Sequence, residues 1–281
     1  MKIIFTADLH GHKGLYDQLF DVAKQEETDA ILIGGDMLPK EGDFLKLFNL
    51  QKDFVRRFLK SYLKKIRSER LETEIYAMLG NDDWVGNLPF MEELQSQGLL
   101  KLLHRRKYPL TEDFEIIGYG NVPPTPFSIK DSERIDLPGV PLEPQTYSAF
   151  VSSPSGIKPI NPFDYFRSNT TMEEELDDLP IPQSYEKTIY MFHAPPFQTH
   201  LDQLYEGRPI GSRAIRQFIE RHQPLLTLHG HIHESPSQSG NYLDRIGQTI
   251  CINPGQSGEK LHAVIFDLDR VEETIRHTVF G

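Results

Sequence analysis

Seven side chains of the types that bind divalent cations fall in five short blocks of this chain. They are Asp8 and His10 in DLHG, Asp36 in GGD, Asn81 in GND, His193 by itself, and His231 and His233 in GHIH. Imidazole and carboxylate together suit Mn²⁺, Fe or Zn²⁺. Asp8 and His10, two residues apart, can converge on one ion. His231 and His233 can do the same, or can serve two neighbouring ions. The Asp36 carboxylate has two oxygens and so can bridge. A close pair of ions activates a water and neutralises a transferred phosphoryl group, so the donor set points to hydrolysis of a phosphate ester.

Each block ends an apolar run: KIIFTA, AILI, EIYAML, TIYMF and LLTL. Strands that all deliver polar residues at their C-terminal ends build a site along one edge of an α/β sheet. Between the runs, Leu15, Leu19, Val22 and Ala23 predict an amphipathic helix over residues 13–26. Phe44, Leu47, Phe48, Phe54, Phe58, Tyr62 and Ile66 predict a long helix with one buried stripe. Pro89 opens a short helix that Gly98 closes. This alternation implies right-handed parallel crossovers. Near the C-terminus, TICINPG, LHAVIFDL and ETIRHTVF read as adjacent antiparallel strands.

Residues 122–183 differ in character, holding 11 of the 20 prolines and an acidic run from Glu173 to Asp178. Proline removes backbone donors and breaks helices, so no regular core layer is expected there. The segment reads either as a lid or binding loop or as a disordered surface insertion.

The composition excludes several classes. With 38% apolar and 25% charged residues the chain is globular, and its 281 residues allow a substantial core. A net charge of −11 repels nucleic-acid backbones, and the basic stretch from Lys60 to Arg70 lies on a patterned helix where charges coat the solvent face. No run is long enough to cross a bilayer, and Asp8 interrupts the apolar start that a secretory signal would need. The single cysteine, Cys251, cannot form an internal disulfide, so a reducing cytoplasm is the expected compartment. The oligomeric state stays open, a homo-oligomer included.

In their order, DLHG, GGD, GND, H and GHIH resemble the blocks of the calcineurin-like metallophosphoesterase superfamily. HAPPFQTHLD, GSRAIRQFIERHQP and GHIHES followed by NPG are similar to its cyclic-phosphodiesterase-like branch. The likeness covers nearly the whole chain except Val122 to Gln183. It implies a single α/β domain over 1–281, a four-layer αββα sandwich of two mixed sheets flanked by helices, with 122–183 inserted. It also implies two metal ions: Asp8, His10, Asp36 and His233 on one, Asp36, Asn81, His193 and His231 on the other. The implied reaction is in-line attack of a metal-bridging hydroxide on a small phosphodiester or phosphomonoester. Asn81 would touch the substrate. From its own chemistry Arg208 is a second contact, since a guanidinium suits phosphate oxygens.

One position departs from the resemblance. The superfamily's third block is Gly-Asn-His followed by Asp or Glu, and the histidine assists the leaving group. Asp82 stands in its place here, with Asp83 matching the acidic residue that orients it. A general acid contributes about 10²–10⁴-fold, and an ionised Asp82 would repel phosphate. Either Asp82 is held protonated by Asp83 and the phosphate, or another residue substitutes, or poor leaving groups react slowly. His200, in HAPPFQTHLD, is the candidate substitute. His229 is expected to point away from the ions as support or packing, and Asn253-Pro254-Gly255 to be a turn without a role in the site. Two rival readings remain: a binding module that kept the fold but lost turnover, and a nuclease, which would need a basic groove.

Overall fold

A computed structural model describes residues 1–69, 72–142 and 148–281. β1 (Lys2–Thr6), β2 (Ala30–Ile33), β3 (Glu74–Ala77) and β4 (Lys101–Leu102) run parallel and side by side. The crossovers are α1 (Lys13–Gln25), the helical stretch from α2 (Phe44–Asp53) to α3 (Lys60–Ser68), and α4 (Leu88–Ser96). The expected long helix is therefore present, but residues 54–59 within it are wound as a π-helix. Such insertions are rare and accumulate near functional sites.

The second half of the chain builds a second sheet. β5 (Lys107–Pro109), β6 (Glu115–Tyr119), β9 (Thr188–Phe192), β10 (Leu226–Leu228), β12 (Thr249–Ile252) and β11 (Leu243–Ile246) lie in that order. β6, β9, β10 and β12 are parallel, with antiparallel β5 and β11 at the edges. β13 (Val264–Asp267) and β14 (Arg276–His277) return to the first sheet, where β13 pairs antiparallel with β1. Of the three C-terminal runs, β13 and β14 are antiparallel neighbours as expected, but β12 lies in the other sheet. Apolar alternation specifies a face and a period, but not the partner strand.

Three apolar layers explain why the strands read as continuous apolar runs: both faces of each are buried. Ile4, Ile31 and Ile33 pack with Leu15, Tyr16, Leu59 and Tyr62 under the first helical layer. Ile3, Phe5 and Leu32 face Ile189, Met191, Leu226 and Leu228 across the gap between sheets. Tyr190 and Phe192 pack with Ile215, Phe218 and Ile219 of α7 (Arg213–His222) beneath the other helical layer. The result is the four-layer αββα arrangement of two mixed sheets flanked by helices.

The proline-rich stretch is not structureless among its described residues. β7 (Ala149–Ser153) and β8 (Gly156–Ile160) form a hairpin, followed by α5 (Pro162–Ser168) and α6 (Met172–Asp177). Met172 and Leu176 join the core under the second sheet. The prolines sit where proline is tolerated: Pro162 opens α5, and Pro159 lies in a two-stranded ribbon.

Candidate metal centre

Every candidate ligand lies just beyond the C-terminal end of a parallel strand: β1, β2 and β3 of one sheet, β9 and β10 of the other. Pairing of β1 with β2 continues into the loops, where Asp8 N donates to Gly35 O (3.0 Å) and His10 N to Asp36 O (2.8 Å). Gly230 N donates to His193 O (3.0 Å), which ties the last two blocks together. The backbone is strained here. Asp8, His10, Asp36 and His231 have φ of 58°, 43°, 49° and 66°, four of the nine left-handed non-glycine residues among those described. Each such conformation costs about 1–3 kcal/mol and persists only where its surroundings enforce it. Gly80 has no room for a side chain, because a Cβ would collide with the Asp36 carboxylate and His193 Nε2.

The side chains converge as two groups that share one member. Ligand atoms of Asp8, His10, Asp36 and His233 lie within 4.8 Å of one another, and so do those of Asp36, His193 and His231. Asn81 joins the second group, its Oδ1 3.2 Å from His193 Nε2. His193 Nε2 is 3.4 Å from Asp36, and His233 Nε2 is 3.3 Å from Asp8.

Charge distribution follows from these distances. Burial opposes ionisation of Asp36, yet His193, His10 and the Asp82 N–H hold its carboxyl below the ordinary range. Burial likewise works against the charge on His193, but the Asp36 carboxylate pushes it up to about 9. His233 is raised against burial by Asp8. His10 and His231 lie deep, and burial brings each down to about 3. Burial, then the Asp36 charge, pushes the Asp82 carboxyl up to about 7.

A divalent cation fits this cluster. His10 Nε2 faces His233 Nε2 at 3.1 Å, while His10 Nδ1 is buried with no hydrogen-bond partner among the described residues. Two ring nitrogens directed at one point, beside a shared carboxylate, leave lone pairs that a divalent ion would satisfy.

The remaining candidates separate. Asp83 is buried and accepts from Met37 N (3.1 Å), Leu38 N (2.8 Å) and Gly80 N (3.0 Å), pinning the second block to the third. Burial raises its carboxyl, the Asp36 charge adds to this, and the three donors oppose both. With its oxygens spent on backbone, Asp83 does not orient Asp82. His200 is displaced from the cluster. Its backbone N donates to Asp244 (2.7 Å), its ring lies 3.4 Å from the same carboxylate, and its side chain is 52% exposed. It lies outside the cleft because β11 captures its loop. Arg208 does line the cleft, and it makes no ion pair among the described residues. His229 points away from the cluster, with Nδ1 against Ala194 O (2.9 Å) and Nε2 against Thr227 Oγ1 (2.8 Å).

Three supporting residues escape a reading of blocks. Lys40 Nζ is 3.0 Å from His10 Nε2 and 3.9 Å from Asp82 Oδ2. Gln51, in the last turn of α2 before the π-helical stretch, donates to Pro39 O (2.9 Å) and Asp82 O (2.8 Å) and accepts from Trp84 N (2.8 Å). Asn253 is not in an idle turn: its Nδ2 donates to Leu201 O (3.0 Å) and Ile232 O (3.1 Å), fixing the loop between His231 and His233. Only the Asn-Pro-Gly turn left a trace in the sequence.

The calcineurin-like phosphoesterase pattern matches residues 1–235, and the chain belongs to that family. Among solved structures, TT1561 of Thermus thermophilus superposes with a TM-score of 0.53 at 15% identity, covering 100% of this chain and 99% of that one. A dimetal phosphatase from Danio rerio gives 0.52 at 11% identity, covering 94% and 91%. These likenesses establish the αββα fold. No curated protein sequence matches the chain. No helix among the described residues is long and apolar enough to cross a membrane.

Proposed function

We propose that the chain is a phosphoesterase that works with two divalent cations on small phosphodiesters or phosphomonoesters. The observation that carries this reading is the pair of ligand groups with Asp36 common to both. Asp8, His10, Asp36 and His233 would hold one ion, and Asp36, Asn81, His193 and His231 the other, with Mn²⁺, Fe or Zn²⁺ suiting the donors. When bound, two such ions supply an activated water and neutralise charge on the phosphoryl oxygens. The likeness of HAPPFQTHLD and GHIHES to the cyclic-phosphodiesterase-like branch supports diesters, and lone, buried Cys251 supports a cytoplasmic setting.

The chain's own groups complete the chemistry. Asn81 donates from Nδ2 to Asp82 Oδ1 (3.1 Å), and the Asp82 N–H donates to Asp36 (2.8 Å), so the third block is oriented towards the shared carboxylate. Protonated, Asp82 donates to the leaving oxygen instead of repelling it. Lys40 brings the positive charge that the absent histidine would have brought, and it takes the substitute's role expected of His200. Arg208 lines the same cleft, and its guanidinium would take a non-bridging phosphate oxygen.

The test is hydrolysis of generic aryl phosphate esters by Mn²⁺-loaded protein. Asp36→Asn should lose nearly all activity and most of the metal. Activity no higher than that of the variant would sink the reading. Asp82 favours one alternative, a metal-binding module without turnover, and metal retained without hydrolysis would identify it. A nuclease finds no basic groove here, since Asp36, Asp82 and Glu234 line the cleft beside Lys40 and Arg208.

A further inference from the structure

The cleft above the candidate centre measures about 570 Å³, far more than a phosphate needs, so most of it faces the rest of the substrate. One wall is the Pro-Pro-Thr-Pro-Phe stretch at residues 123–127; Leu204 and Ile210 also line the cleft. Pro123, Pro124 and Pro126 have no amide hydrogen to offer. The polar groups of Thr125 are all taken: its N–H donates to Glu133 Oε2 (3.0 Å), its hydroxyl to Glu133 Oε1 (2.5 Å), and its carbonyl accepts from Lys130 Nζ (2.8 Å). The Phe127 N–H is taken as well, donating to Thr125 Oγ1 (3.2 Å).

Lys130 and Glu133 are themselves fully buried and paired at 2.9 Å. Taking two charges out of water costs several kcal/mol per ion unless further hydrogen bonds satisfy them. Here those further bonds go to a single residue at the centre of the cleft wall. Phe127 is left 55% exposed at the cleft. The wall is therefore rigid, largely apolar and already in position, and residues 123–127 have no free hydrogen-bond donor for a sugar or polyol, only backbone carbonyls.

We propose that the cleft selects phosphate esters whose organic group is aromatic, and that residues 123–127, clamped by the Lys130–Glu133 pair, are the platform on which that ring lies. A polyol against this wall would give up the hydrogen bonds its oxygens accept from water and find no donor to replace them, whereas an aromatic face gives up only apolar hydration and packs on proline rings and Phe127. The proposal rests on the phosphoesterase reading, because the ring's position follows from a phosphate held at the metal centre beside Asn81.

The test compares phenylphosphonate with methylphosphonate binding to Mn²⁺-loaded protein by titration calorimetry, which needs no turnover. The unaltered protein should prefer the phenyl compound by about tenfold, and Phe127→Ala should cut that preference to about threefold or less, while Phe127→Trp keeps it. Phe127 is exposed, so these variants fold. Equal affinities in the unaltered protein, or a preference unmoved by Phe127→Ala, would overturn the proposal while leaving the hydrolase intact. If neither phosphonate binds and no aryl ester is cleaved, the phosphoesterase reading falls with it.

Discussion

The floor and the wall of the cleft both hold buried charge, but they satisfy it in different ways. On the floor, His10 and His233 direct ring nitrogens at each other, His10 Nδ1 lacks a partner among the described residues, and four residues sit in left-handed backbone. On the wall, Lys130, Glu133 and Thr125 give one another hydrogen-bond partners, with 0% exposure of both charged side chains. Buried polar groups of similar kinds thus signal opposite roles. A cluster that leaves a buried ring nitrogen unpartnered at strand ends suits a ligand from outside, while a fully satisfied one holds backbone in place.

Removing one member of the satisfied cluster should give the largest effect. Glu133→Ala leaves the Lys130 ammonium buried and unpaired, and should cost about 3–5 kcal/mol in urea unfolding. Lys130→Met with Glu133→Leu should recover at least half of that loss. A double variant as unstable as the single one would show that the pair's charge is not what the wall depends on.

The floor is probed next through Asp82. Asp82→His should raise turnover of esters with strongly basic leaving groups by about 10²-fold, and should flatten the dependence of rate on leaving-group pKa. Equal slopes for the two proteins would break the assignment of proton donation to this position.

A third measurement uses pH and metal-free protein, because buried His229, behind the floor, and Glu133 of the wall should respond with opposite sign. Burial depresses His229 from the usual 6.5 to about 3, so the unfolded chain takes up the proton first and stability is lost as pH falls below about 6.5. Glu133 is raised from 4.5 to about 7, chiefly by burial, so the folded chain keeps its proton longer and stability is lost as pH rises from about 4.5 through 7. Urea midpoints should therefore pass through a maximum, and the Lys130→Met, Glu133→Leu variant should have a shallower alkaline limb. An unchanged limb would contradict the wall's share of the titration.

The smallest effect expected is that of Thr125→Val. It removes the two hydrogen bonds of the hydroxyl, one donated to Glu133 and one accepted from Phe127 N, and should cost about 2 kcal/mol. A loss near that of Glu133→Ala would mean that the hydroxyl, not the ion pair, organises the wall.

Local order in the chain made much of this visible. Apolar runs of four to six residues ending in Asp, His or Asn read as buried strands with a shared polar edge, since burial on both faces removes polar alternation. The amphipathic spacing of α1 and of the α2–α3 stretch was equally plain, because a 3.6-residue period is a property of neighbours in sequence. The family blocks then suggested which side chains meet.

What primary structure alone could not settle depends on contacts between distant residues. The sheet to which β12 and β13 each belong follows from hydrogen-bond partners that are not their sequence neighbours, β10 for the former and β1 for the latter. His200 was drawn away by Asp244, 44 residues on, while Lys40 came to lie beside Asp82, and no periodicity encodes either contact. Residues 123–127 of the proline-rich stretch became an ordered wall because Lys130 and Glu133 are desolvated together over Thr125. A sequence displays their charges, but only the folded chain decides whether water or protein answers them.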